Sequence, residues 1–102
     1  MIRITIRNND DNMTVYLNGR LDTAATEQAE KDMEPLCHCD DKDIILDFTE
    51  LSYICSAGLR QLLEILKNSR KHGHHVYIKG LCNINIREAF VKTGFYEIFE
   101  YI

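Results

Sequence analysis

The chain has 102 residues, a formal net charge of -4 at pH 7 and 45% hydrophobic residues. This length suits one domain over residues 1–102, because single domains usually run to about 100–150 residues. The acidic balance argues against non-specific nucleic-acid binding, which requires a positive surface to displace counterions from phosphates. No apolar run reaches the roughly 20 residues that span a bilayer, and the N-terminal segment lacks the apolar stretch of a signal peptide. We therefore expect a cytoplasmic protein without membrane contact.

The first third of the chain predicts a hairpin followed by a helix. Residues 2–7 (IRITIR) and 13–19 (MTVYLNG) alternate apolar with polar residues, as strands do, and the turn-rich NNDDN lies between them. Residues 21–36 carry Ala and Glu at a helix-forming density. Pro35 should end or kink this helix near Glu34, because a proline inside a helix removes a donor and clashes with the preceding turn.

The rest of the chain predicts two further strand and helix pairs and a closing element. Residues 42–48 (KDIILDF) are short and β-branched, which suits a buried central strand. After a polar corner, one apolar stripe at helical spacing is formed by Leu59, Leu62, Leu63 and Leu66. This helix should end at Gly73, and a strand over 75–80, a helix over 83–94 and a short element in YEIFEYI follow. The order β-β-α-β-α-β-α predicts an α/β domain with a mixed, partly parallel sheet.

Ser56 lies at the joint between the polar corner and the Leu-rich helix. A serine there can cap the helix by accepting hydrogen bonds from free backbone amides. The same amides and the positive end of the helix dipole also tolerate a phosphate, so phosphorylation would change the surface without disrupting the fold. A nucleophile is disfavoured, because ICSAG is not G-x-S-x-G and His72 lies 16 residues away, about 24 Å along a helix. The capping and the phosphorylation roles both stay open.

The chain carries four cysteines: Cys37, Cys39, Cys55 and Cys82. In the cytoplasm they are expected to be reduced thiols. The CHCD segment lacks the usual spacing of structural zinc sites, so we expect partly buried thiols in a turn and no metal. Cys55 precedes the Leu-rich helix, a position that can activate a redox thiol, but its apolar neighbours favour burial.

Two aspartates follow the predicted second and third strands. Asp22 is a candidate helix N-cap, as is Thr23, and Asp47 is expected to order the loop before Ser52. If the two strands are neighbours in the sheet, both carboxylates and Ser56 gather at the end where α/β folds place ligands and partners. No G-x-G-x-x-G or P-loop pattern occurs, so no nucleotide cofactor is expected.

Three segments together resemble the STAS domain, in particular the stand-alone anti-sigma factor antagonists of bacteria. They are LNGRLDTAAT (17–26), IILDFTELSYICSAGLRQLLEI (44–65) and KTGFYEIFEYI (92–102). The resemblance covers nearly the whole chain in order and spacing. It implies a single STAS-like α/β domain with a mixed sheet of four to five strands and helices packed mainly on one face.

The resemblance also implies a binding protein and not an enzyme. Members of the family bind an anti-sigma factor that is also a serine kinase, and thereby free the sigma factor. The kinase phosphorylates the serine before the Leu-rich helix, a position that is Ser56 here, and a serine phosphatase reverses the reaction. By position, the surface that the partner contacts would include Asp22, Asp47, Thr49, Cys55, Ala57 and Gly58.

The turn around Ser56 departs from the family's frequent Asp-Ser-Ser-Gly pattern. Here it is Cys55-Ser56-Ala57-Gly58, without an acid before the acceptor and without a second serine. Two alternatives therefore stay open. One is a STAS scaffold in a signalling or lipid-trafficking complex that is never phosphorylated. The other is a small thiol or metal protein that uses Cys37, Cys39 and Cys55.

Overall fold

The computed structural model describes residues 1–102, which form a six-stranded mixed sheet and three α-helices. The strands are β1 (Ile2–Asn8), β2 (Asn12–Leu21), β3 (Asp43–Asp47), β4 (Leu51–Ile54), β5 (Val76–Lys79) and β6 (Glu100–Tyr101). The helices are α1 (Thr26–Met33), α2 (Ser56–Lys71) and α3 (Ile84–Thr93). Short 3₁₀ segments cover Thr23–Ala25, Glu34–His38 and Phe95–Glu97.

The predicted α/β class and order of elements are confirmed, with one additional strand. None of the helices is long and apolar enough to cross a membrane.

Strand β2 is the longest strand and pairs with three others. It is antiparallel to β1 on one side and parallel to β3 and then β4 on the other. Its first half pairs with β3, where Tyr16 is opposite Asp47, and its last residues pair with β4, where Leu21 is opposite Ile54. The register shifts between Gly19 and Arg20, at a glycine with a φ of 111°. The shift leaves Ser52 of β4 as an extra residue, because Leu51 is opposite Gly19 and Tyr53 is opposite Arg20.

Strand β4 lies where the sequence predicts a polar corner, and that prediction is wrong. Leu51 and Ile54 are buried, whereas Ser52 and Tyr53 between them are exposed. This spacing is not the strict alternation that identifies a half-buried strand from sequence. Parallel pairing with the end of β2 makes the segment a strand, and only the tertiary structure provides that partner.

The helices pack mainly against one face of the sheet, as predicted. The side chains on this face are buried; in the three central strands they are Val15, Leu17, Ile44, Leu46, Val76 and Ile78. Helix α2 covers them with Leu59, Leu62, Ile65 and Leu66, close to the predicted stripe. On the opposite face the intervening side chains are at least partly exposed, such as Tyr16, Ile45 and Tyr77. One apolar layer between the sheet and the helices therefore forms the core.

Helix α3 is capped by Asn83. Its Oδ1 accepts hydrogen bonds from the backbone N–H groups of Asn85 at 2.9 Å and Ile86 at 3.2 Å. We expect Asn83→Ala to lower the free energy of unfolding by about 1 kcal/mol, because such a change leaves helix donors unpaired. Urea denaturation measures this loss. Asn83→Asp keeps the acceptor and should retain most of the stability, and an equal loss in both variants would contradict the capping role.

Candidate functional site

Ser56 is the first residue of α2 and is exposed. The cap position belongs to Cys55, whose extended backbone has φ -91° and ψ 171° and whose side chain makes no capping bond. Of the two roles left open for Ser56, the capping role is therefore wrong. The reason is long-range, since the N–H of Cys55 donates to the carbonyl oxygen of Leu21 at 2.9 Å. This bond extends the pairing of β2 with β4 by one residue and moves the start of the helix to Ser56.

Three backbone N–H groups at the start of α2 have no partner in the protein. The first bond of the helix runs from the N–H of Leu59 to the carbonyl oxygen of Cys55 at 3.0 Å, which leaves those of Ser56, Ala57 and Gly58 free. Helix α2 has 16 residues, so its aligned peptide dipoles add a positive potential at this end. The exposed hydroxyl of Ser56 therefore lies where an added anion is electrostatically favoured.

Asp22 and Cys55 lie on either side of Thr26. The Oδ1 of Asp22 accepts from the N–H of Ala25 at 3.0 Å and caps the 3₁₀ segment before α1, so its predicted capping role is confirmed. The hydroxyl of Thr26 donates to the carbonyl oxygen of Asp22 at 2.9 Å and lies 3.7 Å from the Sγ of Cys55. The start of α1 and the start of α2 thus meet directly beside Ser56.

Asp47 and Thr49 lie apart from that group, and the predicted convergence of both carboxylates with Ser56 is wrong. Asp47 is opposite Tyr16 in β2. Asp22 follows Tyr16 by six residues, a distance of roughly 20 Å along an extended strand. Strand β2 continues past the end of β3 and pairs with β4 before it reaches Asp22. Asp47 instead accepts from the N–H of Thr49 at 2.9 Å, which confirms its predicted role in ordering the loop after β3.

Gly58 is buried and does not belong to the surface around Ser56, contrary to its predicted place among partner contacts. A Cβ atom at this position would lie 2.8 Å from Cδ2 of Leu21 and 3.0 Å from Cγ1 of Ile54. The glycine lets the first turn of α2 lie directly on β2 and β4. Ala57 and Cys55 are half-buried beside it.

We expect Gly58→Ala to lower the free energy of unfolding by about 1–3 kcal/mol, because the added methyl group enters a packed contact. Urea denaturation measures the effect. The matched control is Gly73→Asn at the other end of α2, where nothing lies within 4 Å and the φ of 77° is one that asparagine tolerates. A Gly58→Ala protein as stable as the wild type would contradict the close packing.

The cysteines do not form a cluster. All four are free: Cys39 is buried, Cys37 and Cys55 are half-buried, and Cys82 is exposed. No three histidine, cysteine, aspartate or glutamate side chains come together as a group that could hold a metal ion. The predicted burial of Cys55 is thus only partial. Cys37 and His38 of the CHCD segment lie in the 3₁₀ segment after α1, and Cys39 and Asp40 follow it.

The model of the STAS domain family matches residues 3–102. A protein of Bordetella bronchiseptica named as a candidate anti-sigma factor antagonist, BtrV, is 32% identical over 101 residues, which cover 96% of this chain and 84% of that protein. A solved structure of a candidate anti-sigma factor antagonist from Thermotoga maritima has a TM-score of 0.82 at 19% identity, over 96% of this chain and 84% of that one.

The fold also matches SpoIIAA, a cell fate determinant of Bacillus, solved in its phosphorylated form. Its TM-score is 0.73 at 18% identity, over 98% of this chain and 91% of that one. At such identities the two solved structures show the fold alone. The family-model match, however, covers nearly every residue and includes Ser56 and the strands that position it. The chain therefore belongs to the STAS domain family.

Proposed function

We propose that the protein is an anti-sigma factor antagonist that binds an anti-sigma factor with serine kinase activity and is switched by phosphorylation of Ser56. The observation that carries this proposal is the exposed hydroxyl of Ser56 at the start of α2, beside three free backbone N–H groups. The relative from Bordetella bronchiseptica, whose name describes such an antagonist, supports the binding function. The proposed role is a protein–protein switch without catalysis.

The surroundings of the serines favour Ser56 as the acceptor. The chain has three serines, and Ser69 is fully buried. Ser52 is exposed, but its hydroxyl donates to the carbonyl oxygen of Gly19 at 2.9 Å. Ser56 is exposed and its hydroxyl makes no hydrogen bond within the protein. A kinase can therefore reach this hydroxyl without breaking an internal contact.

A phosphate on Ser56 would act on the partner more than on the fold. A phosphoserine carries a charge of about -1.5 to -2, and the free N–H groups and the helix dipole favour that charge where it is exposed. Covering it with an unpaired protein surface removes its water and costs several kcal/mol. Phosphorylation should therefore release the anti-sigma factor, and removal of the phosphate by a serine phosphatase should restore binding.

Intact-mass spectrometry tests the proposal after incubation with ATP and each anti-sigma kinase from the same genome. The wild type and Ser52→Ala should each gain one phosphate with the cognate kinase, and Ser56→Ala should gain none. Ser52→Ala is the matched control because it removes the other exposed serine.

Two results would contradict the proposal. A phosphate on Ser56→Ala would place the acceptor elsewhere. Measurable binding to a kinase without any phosphate would leave a STAS scaffold that is not switched at Ser56. The kinase that adds the phosphate to the wild type is identified as the partner by the same experiment.

A further inference from the structure

A groove between α1 and α2 begins directly beside Ser56. Its volume is about 230 Å³, and it is lined by Glu30, Cys37, Ala57, Arg60, Gln61 and Glu64. Ala57, the residue after Ser56, forms one end of it. A partner that covers Ser56 would therefore also cover this α1–α2 groove.

Gln61 provides the groove with an acceptor that lacks a donor. Its side chain is only 9% exposed, and its Oε1 is closed off from solvent without a hydrogen-bond partner. Its Nε2 donates to the backbone carbonyl oxygen of Glu30 at 3.3 Å. If the amide were reversed, Oε1 would lie against the carbonyl oxygen of Glu30, and both of these atoms are acceptors. The bond from Nε2 therefore identifies Oε1 as the unpaired atom. Buried amide oxygens are rarely left without a donor, which points to a group supplied from outside.

The charges at the groove favour a cation. Glu30 on α1 and Glu64 on α2 each place an exposed carboxylate along it. Burial and, to a lesser extent, the neighbouring carboxylates of Glu64 and Glu34 raise the pKa of the Cys37 thiol, which also lines the groove. Glu64 also lies 3.8 Å from the Nζ of Lys67, but this ion pair is exposed and contributes little.

Arg60 is the only cation among the residues that line the groove. It is exposed, and no carboxylate oxygen lies within 4.0 Å of its guanidinium. Its charge offsets that of only one of the two glutamates that line the groove, and Lys67, which is paired with Glu64, lies outside the lining. A cation that enters the groove would be repelled by Arg60 and attracted by the glutamates.

We infer that the α1–α2 groove binds a lysine or arginine side chain of the anti-sigma factor. This inference rests on the proposed function and adds the contact that recognises the partner next to Ser56. The carboxylates of Glu30 and Glu64 pair with the cation, as carboxylates do with ammonium and guanidinium groups. The Oε1 of Gln61 accepts one of its N–H groups, and the rotation about the last side-chain bond that turns this oxygen toward the groove gives up the 3.3 Å bond from Nε2 to Glu30.

Isothermal titration calorimetry with each anti-sigma kinase of the same genome tests this contact. The double variant Glu30→Gln with Glu64→Gln keeps the shape of both side chains and should bind at least tenfold more weakly, with a shallower dependence on salt. Arg60→Gln should bind severalfold more tightly, because it removes the competing cation. The matched control is Glu88→Gln with Glu97→Gln, which removes two exposed carboxylates outside the groove and should leave the affinity unchanged.

The outcomes separate this inference from the proposed function. If the wild type binds a kinase and the Glu30 and Glu64 double variant binds it equally well, the cation contact is wrong and the proposed function stands. An Arg60→Gln variant that binds more weakly than the wild type also overturns it, because Arg60 would then itself contact the partner. If the wild type binds none of the kinases, the proposed function fails and the inference fails with it.

Discussion

Replacing Ser56 by glutamate is expected to stabilise the fold and to weaken partner binding. The side chain at this position is exposed and makes no internal hydrogen bond, so the substitution breaks no contact. A carboxylate in the first turn of a helix stabilises it by about 0.3–1 kcal/mol. The same carboxylate must lose its water when the partner covers the start of α2. We expect a loss of affinity of at least about tenfold, equivalent to 1.4 kcal/mol.

Ser56→Glu should raise the stability of the fold and lower the affinity for the partner, and a general disruption of the fold would not produce this combination. Urea denaturation measures the gain in stability, and calorimetric titration with the kinase that phosphorylates the wild type measures the loss of affinity. Ser56→Gln is the matched control, since it has nearly the same size without the charge and should lose much less affinity. An equal loss in both variants would indicate a steric effect and would contradict an electrostatic switch.

Replacing Phe90 by alanine is expected to destabilise the fold strongly. Phe90 in α3 is fully buried. Its ring centroid lies 5.8 Å from that of Phe48, 6.3 Å from that of Phe95 and 5.9 Å from that of Phe99. The alanine would leave a cavity between α3, the end of β3 and the C-terminal segment. Such a cavity costs about 3–5 kcal/mol, which lowers the midpoint of thermal unfolding by about 12 °C or more.

Thermal and urea unfolding measure this loss, and the neighbouring residue supplies the control. Val91 follows Phe90 in the same helix and is 58% exposed. Val91→Ala removes apolar atoms from the same element without opening a cavity, so its effect should stay within about 0.5 kcal/mol. Similar losses in the two variants would show that the aromatic cluster does not hold α3 against the sheet.

The position of Ser56 depends on the end of β2. The strand passes β3, changes register at Gly19 and pairs with β4, whose last residue, Ile54, is opposite Leu21. This pairing determines where α2 begins, and Gly58 allows the first turn of the helix to rest on the same two strands. Because that contact holds the backbone at the start of α2 in place, the surface around Ser56 can change charge while the fold beneath it stays the same.

The amino-acid sequence was sufficient for those features that local patterns encode. Alternation predicted the hairpin, and the leucine spacing predicted α2. The order of elements predicted an α/β domain with a mixed sheet, since only crossover connections join parallel strands. Asp22 and Asp47 were also predicted to order their own neighbourhoods, because each aspartate bonds to an N–H two or three residues away. Local propensity and short-range hydrogen bonds determine all of these features.

Features that depend on residues far apart in the chain were decided by the tertiary structure. Strand β4 exists because the end of β2 pairs with it, and the same register separates Asp22 from Asp47. The buried position of Gly58 and the capping position of Cys55 follow from contacts with Leu21. The unpaired Gln61 was missed because a glutamine on a helix carries no signal of burial in its sequence. Hydrophobic periodicity encodes which side of a strand or helix is buried, but the register that brings two distant segments together arises only when the whole sheet forms.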